Sequence, residues 1–146
     1  MNNLKKKFLK KIKSGNYKSI AIIGHSSVDP DSIASAFGMN FILQSLHSKA
    51  QIDILVDGIS KHTSQIISYY NHPYLEEAKK KYDLIVIVDV NVQSQIGAFL
   101  NLIEEHKKDS IIIIDHHTPT KFANENVSIK HPVFSLSHRC SGYGYC

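Results

Sequence analysis

The chain holds only two cysteines among 146 residues, Cys140 and Cys146, and both fall at its C-terminal end. Separated by small and aromatic residues, they suit neither a disulfide framework nor a Cys-x-x-Cys site and read as free thiols. No run of about 18 apolar residues is present that could span a bilayer. The first residues lack the continuous apolar centre of a signal peptide. These absences point to a cytoplasmic protein with no membrane role. No repeat, low-complexity tract or Pro/Gly-rich linker breaks the sequence, and its length suits one ordinary domain that needs no structural metal to fold. Charge of one sign is barely in excess: 17 Lys and Arg stand against 13 Asp and Glu, a formal net charge of +4. Such a surface tolerates an anionic partner without demanding one.

Much of that excess lies in "NNLKKKFLKKIKSG", where Leu4, Phe8 and Ile12 recur every four residues and Gly15 offers a stop. This predicts an amphipathic helix within residues 1–17 whose stripe packs on the domain. Its lysines lack interleaved stacking aromatics, so nucleic-acid binding by this segment is modest. Four β-branched runs follow: "SIAIIG" (19–24), "QIDILVD" (51–57), "DLIVIVD" (83–89) and "SIIIID" (110–115). Nearly continuous apolar strands are covered on both faces, as in a parallel sheet. Between them, residues 31–49 carry Ile33, Phe37 and Phe41 at helical spacing, with Asp31 or Ser32 as N-cap. Residues 92–108 carry Ile96, Leu100 and Ile103 in the same way; 60–70 form a weaker helix with Ile66 and Tyr70 inward; 74–81 supply a polar helical turn or two. Alternation of strand and helix argues for a three-layer α/β fold with right-handed crossovers.

The polar punctuation sits where such sheets gather ligands, at the carboxyl ends of the strands. "HSSVDPDS" brings His25, Asp29 and Asp31 after the first run, Asp89 ends the third, and Asp115, His116 and His117 end the fourth. Taken singly, His25 suits a hydrogen-bonded loop histidine and Asp29 or Asp31 a turn or cap. Together they crowd carboxylates in a way that costs several kcal/mol in a partly dry cleft. A divalent cation removes that conflict, and the number of ligands suits two ions sharing a bridging carboxylate. Mixed oxygen and imidazole donors fit Mn²⁺ best, ahead of Fe²⁺, Co²⁺, Zn²⁺ or Mg²⁺. Lys61 and His62 lie beyond the second strand, where the ordinary reading is a solvated helix start.

The segments "GHSSVDPDSIAS", "VDVNVQSQIG" and "IDHHTP", in this order and spacing, resemble the first three motifs of the DHH phosphoesterase family. That family includes RecJ-like exonucleases, nanoRNase-type enzymes, cyclic dinucleotide phosphodiesterases and, more distantly, family II inorganic pyrophosphatases. The resemblance spans roughly residues 18–120. It implies a Mn²⁺-dependent phosphoesterase domain on a mostly parallel five-stranded sheet with helices on both faces. It also implies that His25 and Asp29 hold a first ion, Asp31 and His116 a second, and that Asp89 bridges them. By the same carry-over, His117 faces the scissile phosphate and Asp115 orients a neighbouring imidazole. The substrates implied are a short oligonucleotide, a cyclic dinucleotide or a small phosphoester, with pyrophosphate or polyphosphate as the alternative.

Two departures from the family pattern stand out. Where many relatives carry an Arg before a Leu/Ile-Gly pair, this chain has Gln95 before Ile96 and Gly97, which removes a permanent positive charge. After Glu125 no Asp or Glu occurs, so a fourth-motif carboxylate is absent and the second ion is expected to bind weakly. The organisation expected is a helix over 1–17, the phosphoesterase domain over 18–128, and an irregular tail over 129–146 in place of the family's C-terminal domain. A chain truncated or shifted in frame near 129–132 would leave apolar surface exposed, favouring a homodimer, and could be a catalytically incompetent metal-binding remnant.

Overall fold

The structure is a computed structural model describing residues 3–78, 81–115, 117, 120–122 and 130–132. Five parallel strands form one sheet in the order β2-β1-β3-β4-β5. They are β1 (Ser19–Ile23), β2 (Gln51–Leu55), β3 (Leu84–Val88), β4 (Ile111–Asp115) and the three-residue β5 (Lys130–Pro132). All four pairings are parallel. The fifth strand uses residues that the sequence reads as tail; 133–146 lie outside the described residues.

The period of two along each strand assigns its side chains to opposite faces. Ile20, Ile22, Leu84, Val86, Val88 and Ile112 pack under one cluster with Ile12, Ile33, Ala36, Leu43 and Ile67. Those last five come from α1 (Asn3–Ser14), α2 (Pro30–Leu46) and α3 (Lys61–Tyr70). Ala21, Ile23, Ile85, Ile87, Ile111 and Ile113 face the other way, against Tyr82, Ile96, Phe99 and Ile103. Helices on one face, with a short helix and 3-10 turns on the other, give the three-layer α/β arrangement. All five residues of β3 are buried, as befits the middle strand, and each such side chain stabilises the fold by roughly 1.5–3 kcal/mol relative to exposure.

Five local expectations are corrected. Residues 92–108 do not form one helix: two 3-10 turns, Gln93–Gln95 and Gly97–Phe99, precede a five-residue α4 (Leu100–Glu104). Gly97 takes φ +66, and the Ala98 N–H donates to Asp57 Oδ2 at 2.7 Å. Those tertiary contacts override helical periodicity. The polar stretch after α3 is not helical over its described residues. Instead Leu75 bridges the outer edge of β2, its N–H donating to the Ile54 carbonyl at 2.8 Å and its own carbonyl accepting from Val56 N–H at 2.9 Å.

Within α2 the cap is Asp29, whose side chain accepts from Ser32 N–H, and the inward residues are Ile33, Ala36, Met39 and Leu43. Phe41 is 77% exposed rather than inward. The helix is apolar around most of its circumference, so periodicity could not single out one face. Tyr70, expected inward, is also exposed, although its ring meets Phe37 edge-on. Among the described residues, no helix is long and apolar enough to cross a membrane.

Candidate functional site

Chain order reverses at β1, which has β2 on one side and β3 on the other. The crevice outside the carboxyl ends of β1 and β3 is therefore the topological switch point. The loop leaving β1 is fixed there by long-range backbone bonds. Ser26 N–H donates to the Gln95 carbonyl at 2.7 Å, Ser27 N–H to the Asp57 carbonyl at 2.7 Å, and Val28 N–H to the Gly58 carbonyl at 3.0 Å. Ser27 adopts φ 55, a left-handed conformation uncommon for a residue with a side chain. The buried Ser32 hydroxyl accepts from His25 N–H at 3.0 Å, and the buried Thr63 hydroxyl donates to the Val28 carbonyl at 2.6 Å. Asp31 thereby enters the first turn of α2 at a defined position.

Asp89 follows β3 directly. Its N–H still donates to the Ile114 carbonyl of β4 at 3.0 Å while its backbone turns to φ 59. Aspartate tolerates that left-handed conformation better than most residues, at a cost of about 1 kcal/mol or more. Asp115, the last residue of β4, is 7% exposed. Burial of an ionised carboxylate requires donors, and both its oxygens have them. Oδ1 faces His117 Nδ1 at 2.7 Å, and Oδ2 accepts from the Asn91 amide. Asn91, 4% exposed, also reaches the His117 carbonyl at 3.5 Å, and its own carbonyl accepts from the Thr120 hydroxyl.

The hydrogen bond that His117 donates to Asp115 raises the His117 pKa above its ordinary 6.5. Desolvation opposes the shift, and the charges of Asp115, Asp89 and Asp31 assist it. Asp89, Asp115 and His117 each offer a ligand atom, all within 4.8 Å of one another. Asp31, Asp89 and Asp115 line one crevice of about 380 Å³. Converging carboxylates with an imidazole are the donor set of a divalent cation of borderline or hard character. Both oxygens of Asp115 are engaged, and through Oδ1 that residue orients His117.

Four of the seven residues singled out from sequence are thus brought together: Asp31, Asp89, Asp115 and His117. His25 and Asp29 sit on the β1–α2 loop, outside the 4.8 Å group. The His25 ring contacts the Ser26 carbonyl, and one Asp29 oxygen caps α2. His116 lies outside the described residues. Lys61 and His62 are exposed at the start of α3. Asn91 was missed, since an asparagine just past a strand reads as an ordinary loop residue; only its burial reveals its role. A larger cavity, about 530 Å³, opens at the opposite, amino end of the strands near Tyr17, Tyr82 and His106, away from this cluster.

Comparison with known proteins bears on the fold and the family. An uncharacterized protein of Methanocaldococcus jannaschii is 24% identical over 106 residues, covering 72% of this chain and 31% of the relative. The crystal structure of an exopolyphosphatase-related protein from Bacteroides fragilis superposes with a TM-score of 0.64 at 21% identity, covering 88% of this chain and 38% of the other. The chain thus spans about a third of the length of either protein. The family model described as DHH family, N-terminal domain, matches residues 19–144, and the chain accordingly belongs to the DHH family of metal-dependent phosphoesterases.

Proposed function

We propose that this domain is a Mn²⁺-dependent phosphoesterase that hydrolyses phosphodiester or phosphoester bonds in short oligonucleotides, cyclic dinucleotides or nucleotide-like molecules by a two-metal mechanism. The observation that carries this reading is the convergence of Asp31, Asp89 and Asp115 on one crevice at the carboxyl ends of β3 and β4, with His117 beside Asp89 and Asp115. Asp31 and Asp89, with His25, Asp29 and His116, are the residues that would hold the ions, the second more weakly for want of a further carboxylate. Two such ions, when bound, supply a water of lowered pKa and positive charge facing a phosphate.

The chain's own groups do the rest. Asp115 accepts from His117 Nδ1 and keeps the ring oriented, so that Nε2 is the nitrogen directed away from the carboxylate. The raised pKa holds a proton on Nε2 to higher pH, where it can donate to a nonbridging phosphate oxygen as negative charge grows there. Asn91 fixes Asp115 in turn, and the buried isoleucines of β4 hold the strand end still. Geometry set before the substrate arrives need not be rearranged during reaction.

A second reading, hydrolysis of pyrophosphate or polyphosphate, is favoured by the exopolyphosphatase-related description of the Bacteroides fragilis structure. The test is turnover of a short RNA or a chromogenic phosphodiester with Mn²⁺ present, compared with Asp89→Ala. The expected result is activity in the parent and a loss of about 100-fold or more in the variant, the scale of losing a preorganised electrostatic group. Equal turnover by both proteins would overturn the proposal, and no turnover by either would favour a catalytically incompetent domain.

A further inference from the structure

Three of the four apolar runs end in aspartate: Asp57, Asp89 and Asp115. The last two belong to the cluster at the carboxyl ends of β3 and β4. Asp57, two residues past β2, neither lines the crevice nor falls within the 4.8 Å group. Its carboxylate is engaged elsewhere.

Asp57 holds two loops at once. Its carbonyl accepts from Ser27 N–H at 2.7 Å, and its Oδ2 accepts from Ala98 N–H at 2.7 Å, a short separation of the kind charge-assisted bonds have. Ser27 stands between His25 and Asp29, and Ala98 lies on the segment that continues from Asp89. A further bond, from Ser26 N–H to the Gln95 carbonyl at 2.7 Å, closes the circuit between those loops. The junction is tight. A Cβ at Gly97 would fall 1.9 Å from Asp57 Oδ2 and 2.8 Å from Ser26 Cβ, so the carboxylate fills the space a side chain would take.

The loop after β1 needs such support. Ser27, at φ 55, holds a left-handed conformation that persists in a residue with a side chain only where surrounding contacts outweigh its cost. Those contacts come from two sides: Asp57 and Gly58 after β2, and Gln95 after β3. The supports belong to different strand ends, and the Asp57 carboxylate ties one to the other. Without that tie, the turn around Gly97 would be free to move against the β2–α3 loop, and the loop bonded to both would move with them.

We propose that Asp57 is a positioning residue of the metal centre: through Ala98 it locks the segment after Asp89 to the loop that carries His25 and Asp29, and so fixes the separation of ligands that come from β1 and β3. This role rests on the proposed reading in which those residues hold the ions. Groups that steady metal ligands without touching the ion change affinity by about 10–100-fold when removed.

The test compares the parent with Asp57→Ala, Asp57→Asn and Asp57→Glu as full chains. Titration with Mn²⁺, followed by the free-ion electron paramagnetic resonance signal, should show Asp57→Ala binding about tenfold more weakly. Asp57→Asn keeps an acceptor oxygen at the same reach and should bind like the parent. Asp57→Glu keeps the charge but overruns the space beside Gly97, so it should bind as weakly as Asp57→Ala. Amide hydrogen exchange of the metal-free proteins is the second readout. In Asp57→Ala, Ser26 and Ser27 should exchange faster while the amides of β3 and β4 are unchanged, as a local opening requires.

Unchanged Mn²⁺ affinity in Asp57→Ala overturns the proposal. So does an Asp57→Asn protein as weak as Asp57→Ala, which would assign the effect to charge. Exchange raised equally throughout the domain overturns it as well, because Asp57 would then serve global stability alone. If Asp57→Ala fails to fold, the contrast between Asp57→Asn and Asp57→Glu decides. A parent that leaves Mn²⁺ free sinks the metal reading instead, and the exchange pattern still decides whether Asp57 ties the loops.

Discussion

Asp115 Oδ1 and His117 Nδ1 stand 2.7 Å apart at the end of β4, one group buried and the other more than half exposed. A buried carboxylate thus holds an accessible imidazole. In metal-free protein the His117 ring should titrate above its ordinary 6.5, and Asp115→Asn should bring that value down. Nuclear magnetic resonance of the ring protons against pH checks both. The sign for stability follows from the upward shift. The pair's contribution is complete below the unfolded-state pKa near 6.5 and fades as pH rises through the higher folded value. A His117 that titrates identically in both proteins would remove the orienting role of Asp115.

Asn91 should matter to folding as well as to the site. Its amide donates to Asp115, and Asn91→Ala removes that donor from a carboxylate only 7% exposed. Loss of a donor to a buried polar group costs about 1–3 kcal/mol. Urea denaturation of the metal-free protein measures it, and a change below about 0.5 kcal/mol, the scale of an ordinary surface substitution, would contradict this account.

Two glycines should respond to alanine in opposite directions. At Gly97, φ is +66 and a Cβ would fall 1.9 Å from Asp57 Oδ2 and 2.8 Å from Ser26 Cβ. Gly97→Ala should destabilise by about 2 kcal/mol or more, through left-handed strain and the displaced loop. At Gly38 a Cβ meets open space, so Gly38→Ala should stabilise by about 0.5–1 kcal/mol through helix propensity and reduced freedom of the unfolded chain. Thermal unfolding of both variants reads the contrast; the same sign for both would contradict the opposite roles of these two glycines.

Tyr82 ties pH to stability at the alkaline end. Its hydroxyl donates to Asp53 Oδ2 at 3.0 Å, and burial, aided by that bond and the Asp53 charge, raises its pKa above 10.0. The sign is again that of a raised pKa: the contribution is whole below the unfolded value near 10 and is lost as pH climbs toward the folded one. Tyr82→Phe should flatten the alkaline limb of stability against pH between roughly 10 and 12. An unchanged slope would refute the assignment.

Much of this was legible in the chain before folding. Runs such as Ile111–Ile114 announce a strand covered on both faces, and that burial fixes where Asp115 and His117 stand. Asp89 and Asp31 could be read the same way, from their place just past β3 and β1. What escaped depends on partners distant in sequence. The periodicity of 92–108 implied one helix, but Asp57 and Ser26 claim the backbone around Gly97, and the segment breaks there. Phe41 has the spacing of a core residue in a helix with too many apolar positions, and only the packing of Met39 and Leu43 shows which side faces the sheet. Leu75 was hidden among lysines and glutamates, and nothing local marks it as an edge partner of β2.

The central claim is that Asp31 and Asp89, with His25, Asp29 and His116, hold divalent cations beside a His117 kept in place by Asp115. Titration of the full chain with Mn²⁺, followed by loss of the free-ion electron paramagnetic resonance signal, tests it most directly. The account predicts saturable binding by the parent, one ion held more tightly than the next, and weakening of about tenfold or more in Asp89→Ala. A parent that leaves Mn²⁺ free, or an Asp89→Ala protein that binds it equally well, would contradict it.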